Sequence, residues 1–186
     1  MAMTAPESVL TSCTASEKAS VLTMLLDDDP TLVQRAEDVA RRKLARVDVD
    51  TVSELIVGAI LELDTEDLAS RAGPRRHGYI EPTDAAWQLL EEVIEPWIED
   101  IRRRARLGLH QAATNLATAV TQALETAEER ADRIDDCLLH QWAPDFPSET
   151  ASWVERDWAR SPGRRSRSTG LSDPSRWPEH RVQPDL

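Results

Sequence analysis

The sequence predicts an all-α protein, a bundle or a short stack of helical hairpins, with a disordered C-terminal tail. Apolar residues recur three and four positions apart in successive stretches, as they do on helices that bury one face. Helix boundary signals separate these stretches, among them Asp29-Pro30 and Gly73-Pro74. No stretch shows the sustained alternation of a convincing strand. Amphipathic helices joined by short loops are typical of bundles and of stacked hairpins.

Two helices are expected at the start of the helical part. Ser16 is placed to cap the first, which runs to about Leu26. Asp29, an N-cap acceptor, and Pro30, a residue favoured at the first helical position, start the second helix. It runs to about Arg46, with basic residues in its last turns, where cations offset the helix dipole.

The middle of the chain predicts a longer and a shorter helix before its main loop. Asp50 or Thr51 opens the longer helix. Asp64, followed three residues later by Asp67, resembles a capping box and starts the shorter one. The interior loop then spans residues 73–82.

Two long helices follow that loop. Thr83 caps the first of them, and Pro96 inside it predicts a kink or a restart, because proline removes a helical hydrogen bond. Gly108 ends this helix, and the next spans about His110 to Leu139 with an alanine-rich apolar stripe and an acidic opposite face. Alanine permits close approach of helices but buries little area.

Composition divides the chain into three segments. Residues 1–14 are expected to be a flexible N-terminus, and residues 15–142 an α-helical domain. Six of the eleven prolines follow Trp142, so residues 143–186 are expected to be a largely disordered Pro/Arg/Ser-rich tail. A short helix is expected within this tail, near residues 150–160.

Charge and apolar content narrow the function classes. The 186 residues carry a formal net charge of −12, which argues against direct nucleic-acid binding, since phosphate contacts need a basic face. No run approaches the roughly 18 apolar residues of a membrane span. The first twelve residues lack the basic start and the apolar run of a secretion signal. We therefore expect a cytoplasmic protein whose Cys13 and Cys137 are reduced thiols.

Metal and catalytic sites have partial signals only. Cys137 and His140 have the spacing of half a zinc site, but a structural zinc needs four ligands. Asp132, Asp136 and His140 are spaced to share a helix face, and a second acidic row runs from Glu91 to Glu99. No nucleophile or orienting partner accompanies either row, so we predict no metal, no cofactor and no catalytic residue.

Two segments are candidates for contact with a partner. The interior loop combines Arg75, Arg76, His77 and Tyr79, and loops held between rigid helices commonly carry binding residues. The alternative is a plain connector, with Tyr79 in the core and the arginines paired to the acidic body.

The second candidate is the pair Trp153 and Trp158 in the tail. Tryptophan is enriched among the residues that anchor interfaces. The two side chains are expected to dock either on the helical body or on another protein.

Several boundary segments resemble a known group of proteins. They are Leu22 to Leu32, the turn Gly78-Tyr79-Ile80, the helix start Thr83 to Trp87, and Leu107 to Ala113. Over residues 17–130 the order is similar to the helical region of bacterial proteins that also carry SWIM-type zinc fingers. The Cys/His zinc-finger motif of those proteins is absent here, so their DNA or metal binding is not carried over. The resemblance implies a HEAT-like or TPR-like scaffold that binds other macromolecules.

The leading interpretation is a non-enzymatic helical module that binds another protein, whose identity the sequence does not give. One alternative is an acidic inhibitor or antitoxin-like protein that masks a basic, nucleic-acid-binding partner. A second is an enzyme or metal-binding protein that uses helix-face carboxylates. A homodimer also stays open, because an alanine stripe packs within one chain or across a dimer equally well.

Overall fold

A computed structural model describes residues 9–76, 78–134 and 137–160, with side chains described as far as Arg156. The chain divides into two compact units, Met1–Leu44 and Ala45–Leu186. We call them the N-terminal unit and the C-terminal unit. Over the described ranges helices dominate, which confirms the all-α class.

The N-terminal unit consists of α1 (Val9–Ser12), α2 (Ala15–Asp28) and α3 (Pro30–Leu44), and α2 packs against α3. Thr14, rather than Ser16, caps α2: its hydroxyl accepts from the backbone of Glu17, and the Glu17 carboxylate accepts from the backbone of Thr14. Asp29 then accepts from the backbone N–H of Thr31 at 2.9 Å, which starts α3.

The described residues of the C-terminal unit form six helices and one small hairpin. They are α4 (Val49–Leu61), α5 (Thr65–Arg71), β1 (Gly73–Arg75), β2 (Gly78–Ile80), α6 (Pro82–Arg106), α7 (His110–Ala131), α8 (Leu138–Trp142) and α9 (Phe146–Arg160). The predicted capping box of Asp64 and Asp67 is present at the start of α5. The strands pair antiparallel within residues that the sequence assigned to a loop.

Helix α7 forms the centre of the C-terminal unit and packs against α4, α6 and α9. Its stripe of alanines is buried, and Leu116, Val120 and Leu124 are fully or almost fully buried among them. The small side chains let neighbouring helices come close, while the larger residues supply most of the apolar area removed from water. The stripe is therefore used within one chain.

Two expectations about helix lengths are corrected. The last long helix ends at Ala131 instead of Leu139. It is followed by turns in which a backbone N–H donates to the carbonyl three residues earlier. A new short helix, α8, then follows, and its first residues Leu138 and Leu139 are buried. Helix α6 continues through Pro96 without a restart, so of the two expected outcomes the kink stays a prediction. Pro96 and Glu92, whose carbonyl loses its helical partner, are both exposed residues.

The folded part also extends beyond Trp142, the expected end of the helical domain. Helix α9 begins at Phe146, four residues before the expected short helix, and packs on α7 and α6. Phe146 is fully buried, with its ring 4.9 Å from that of Trp87 in an edge-to-face arrangement. The expected disorder of residues 161–186 and flexibility of residues 1–8 lie outside the described residues.

Candidate functional site

The candidate loop of residues 73–82 is a β-hairpin with a tight turn. Arg75 pairs with Gly78 in the register, so Arg76 lies at the end of the hairpin. Gly78, with a φ of 147°, closes the turn in a backbone conformation that other residues rarely adopt. His77 lies outside the described residues. The tip and its flanks therefore present Arg76 and Tyr79, and we call these two residues the hairpin tip.

Arg75 holds the hairpin to the preceding helix. Its guanidinium donates to the carbonyls of Ser70 and Arg71, at 2.5 and 2.6 Å. These carbonyls lie at the C-terminal end of α5, where they lack helical partners and where a cation offsets the dipole. Arg75 therefore has a structural role, and these hydrogen bonds go to backbone carbonyls instead of the acidic side chain that one interpretation proposed. Its contact with a partner stays a prediction.

A second contact fixes α5 itself. Arg71 donates two hydrogen bonds to the carboxylate of Glu92 on α6, at 2.5 and 2.9 Å. Because the Glu92 side chain is largely exposed, the pair contributes little to stability, about 0–1 kcal/mol for surface pairs in general. Its bidentate geometry does set the orientation of α5 against α6. The hairpin thus extends from a supported helix.

Tyr79 is 59% exposed, whereas its neighbour Ile80 is half-buried and packs against the core. Adjacent residues of a strand point to opposite faces, so burying Ile80 turns Tyr79 outward. The alternative in which Tyr79 fills the core is therefore wrong. Arg76 is exposed as well, and the hairpin tip combines an aromatic ring with a guanidinium.

Trp153 docks on the body of the C-terminal unit. Its side chain is half-buried, and the guanidinium of Arg102 on α6 lies 5.3 Å from the ring centroid. Such a cation–π contact holds α9 to α6. The sequence left open whether Trp153 docks on the helical body or on another protein, and in the structure it docks on the helical body. The backbone of Trp158 lies in α9, and its side chain is outside the described residues.

Three arginines of the basic run in α6 pair with acidic residues of the same helix. Burial disfavours the charged form of Asp100, but hydrogen bonds from Arg104 and Arg103 outweigh it and hold the pKa of Asp100 below its usual value. Arg102 lies 3.8 Å from Glu95. Burial, together with the charge of Glu95, raises the pKa of Glu91. The arginines of this run thus pair mainly with acidic residues of their own helix.

The residues with metal-ligand spacing are brought together only in part. Cys137 is buried before α8, and His140 Nδ1 lies 3.1 Å from a carboxylate oxygen of Asp132. Asp136 lies outside the described residues. Among the described residues no group of three or more His, Cys, Asp or Glu side chains is placed to hold a metal ion. None of the described helices is long and apolar enough to span a membrane.

Sequence reasoning missed the exposed apolar surface of the N-terminal unit. None of the described residues in this unit is buried. Leu22, Leu25, Val33 and Val39 remain 44–51% exposed. The sequence did contain a signal for this exposed surface. The apolar stripes on α2 and α3 are wider than the area that one neighbouring helix covers.

Comparisons with protein-family models, with curated proteins and with solved structures found no match to this chain.

Proposed function

We propose that this protein is a non-enzymatic, cytoplasmic interaction module whose C-terminal unit binds another protein through the hairpin tip, Arg76 and Tyr79. The observation that carries the proposal is the 59% exposure of Tyr79 on a hairpin held to α5 by two hydrogen bonds from Arg75. Exposed aromatic side chains on supported elements are a common form of binding residue.

The chemistry of the tip suits a protein partner. Tyrosine and arginine dominate the energetics of many interfaces, because each combines a large contact area with hydrogen-bonding groups. Fixing the hairpin through Arg75 and Arg71 lowers the ordering cost of binding. A pocket in the partner that accepts an aromatic ring and an adjacent anionic group would complement the tip.

One observation favours the acidic-inhibitor alternative as a second candidate. The face of α7 away from the core carries Glu125, Glu128 and Glu129, all exposed. Together with the net charge of −12, this surface would attract a basic partner at a rate that falls with added salt. The two candidates use different surfaces and so are separable by experiment.

The test is photo-crosslinking in the native cell with full-length chains that carry benzoylphenylalanine at one position. We compare position 79 with position 55, because Leu55 on α4 is 60% exposed and thus matches Tyr79 in accessibility. A third chain carries the probe at position 129 on the acidic face. We expect a discrete adduct at position 79, no such adduct at position 55, and loss of the position-79 adduct with Arg76→Glu.

Each other result counts against the proposal. Equal adducts at positions 79 and 55 would show nonspecific labelling, and the absence of an adduct at 79 would remove the hairpin tip as the contact. An adduct only at position 129 that high salt abolishes would establish the acidic-inhibitor function instead.

A further inference from the structure

The apolar surface of α2 and α3 is larger than their mutual contact covers. At about 100° per residue, the apolar positions span an arc of roughly 200° on α2 and roughly 140° on α3. No described residue of the unit is more than half-buried. The half-buried apolar residues include Val21, Leu26, Leu32 and Ala36. Two helices of 14 and 15 residues are marginal without tertiary packing. The hairpin α2–α3 therefore needs a cover.

Its charges indicate what that cover is. The end of the hairpin at the turn is acidic, with Asp27 and Asp28 exposed in the last turn of α2. The opposite, open end is basic, with Arg42 and Lys43 exposed in the last turn of α3. By helical period, Lys43 lies within the apolar arc of α3, near the C-terminal end of the helix.

The acidic end is also locally unfavourable. Carboxylates near a helix C-terminus oppose the helix dipole, and α2 has no basic residue in its last turn. Asp29 is accounted for by its N-cap role in α3, but Asp28, which by helical period lies within the apolar arc of α2, has no such role. Cations brought in from another surface would offset this cost.

We propose that the hairpin α2–α3 docks on the same hairpin of a second copy of this chain, antiparallel about a two-fold axis. In that arrangement the turn end of each hairpin lies against the open end of the other. Asp28 of one copy then meets Lys43 of the second, twice by symmetry, since by helical period both residues lie within the apolar arcs of their helices, whereas Asp27 and Arg42 lie outside those arcs. The exposed apolar residues form the centre of a four-helix bundle. This inference is independent of the hairpin tip and of its proposed partner.

The size of the surface sets the expected affinity. At 1.5 Å per residue the helices are about 21 Å long, and two abreast present a face of roughly 20 by 20 Å. Over the two copies this is about 800 Å², below the roughly 1,200 Å² of stable interfaces, so the dimer is a weak one, with a dissociation constant of about 100 µM.

The test is sedimentation equilibrium of the full-length chain over about 1–200 µM at low salt. We expect the mass to rise from 20.8 kDa toward twice that value. The double variants Asp27→Lys/Asp28→Lys and Arg42→Glu/Lys43→Glu are each expected to dimerise at least about tenfold more weakly, because like charges then meet at both ends. An equimolar mixture of the two variants regains dimerisation, since both ends are then complementary.

A matched control separates the docking surface from net charge. Glu128→Lys/Glu129→Lys changes the charge of exposed residues on α7 by the same amount as the swap in α2, and it leaves the dimer unchanged. Leu25→Glu, checked for retained helicity by circular dichroism, abolishes the dimer. A monomer at every concentration, or a dimer that Leu25→Glu leaves intact, would overturn the proposal. A dimer that Leu25→Glu disrupts but the charge swaps do not would overturn the antiparallel register.

Discussion

The two units have similar amphipathic helices, yet they differ completely in burial. In the C-terminal unit Ile56, Leu90, Ile94 and Leu124 are fully excluded from solvent. In the N-terminal unit no described residue reaches that state. An apolar stripe thus predicts that a helix forms and that one face needs covering, but it does not predict which element provides the cover.

The number of neighbours accounts for the difference. Helix α7 is contacted by α4, α6, α8 and α9, whereas α2 has α3 as its principal neighbour. Apolar burial stabilises by about 25 cal/mol per Å² of surface removed from water. A helix enclosed on several sides therefore contributes far more than one in a two-helix hairpin.

The largest expected effect comes from emptying the core of the C-terminal unit. Phe146→Ala leaves a cavity at a fully buried position and removes the edge-to-face contact with Trp87, so it should lower the free energy of unfolding by about 3–5 kcal/mol. Urea denaturation followed by circular dichroism, which reports the helices of both units, measures this change. Met24→Ala, at a position 65% exposed in the N-terminal unit, is the control and should change it by less than about 0.5 kcal/mol. Equal effects of Phe146→Ala and Met24→Ala on the free energy of unfolding would contradict the difference in burial between the two units.

A smaller effect, of opposite sign, is expected within α4. Gly58 lies inside this helix, and a Cβ atom added there meets nothing within 4 Å. Because glycine is a poor helix former, Gly58→Ala should raise the free energy of unfolding by about 0.5–1 kcal/mol. Thermal denaturation by circular dichroism measures this change. Gly108→Ala is the control and should destabilise, because Gly108 has a φ of 75° that alanine adopts only with strain. A destabilised Gly58→Ala variant would contradict the open space around that position.

The smallest effect concerns a long-range ion pair. Arg130 donates hydrogen bonds of 3.0 and 2.8 Å to Glu54, and this guanidinium holds the pKa of Glu54 below the ordinary 4.5. A lowered carboxyl pKa stabilises the folded state above pH 4.5, and the contribution is lost as the pH falls through the folded-state pKa. Glu54→Gln should therefore be slightly less stable than wild type at neutral pH, with the difference vanishing in acid.

Urea denaturation of both chains at about pH 7 and about pH 3 measures the difference. Glu17→Gln is the comparison from the N-terminal unit, since hydrogen bonds from nearby Thr14 lower the pKa of Glu17. The substitution Glu17→Gln should change the helicity of α2. A Glu54→Gln variant with the same deficit at both pH values would show that the pair acts by packing and not by charge.

Local signals in the sequence predicted many helix boundaries. Asp29-Pro30 and the capping box of Asp64 act within one turn, so residue identity alone is sufficient to locate them. Gly108 likewise follows the end of α6.

Features that depend on distant partners were harder to predict. Phe146 and Trp153 stand in a proline-containing segment, and their burial depends on surfaces assembled by α6 and α7. The direction of Tyr79 depends on the strand pairing that buries Ile80, and such pairing leaves little trace in two three-residue strands. Of the candidate site, the loop was located correctly, whereas the capping role of Arg75 required the structure.

The cysteines give this chain a natural way to report motion in each unit separately. Cys137 is buried beside α8 in the C-terminal unit, and Cys13 is partly accessible at the start of α2 in the N-terminal unit. A thiol reagent modifies a buried cysteine only when its surroundings open, so the slow labelling phase follows fluctuations around α8, whereas the partly accessible Cys13 reacts in the fast phase without such opening. A single labelling time course would thus time the opening around α8 against an internal reference thiol, without an added probe.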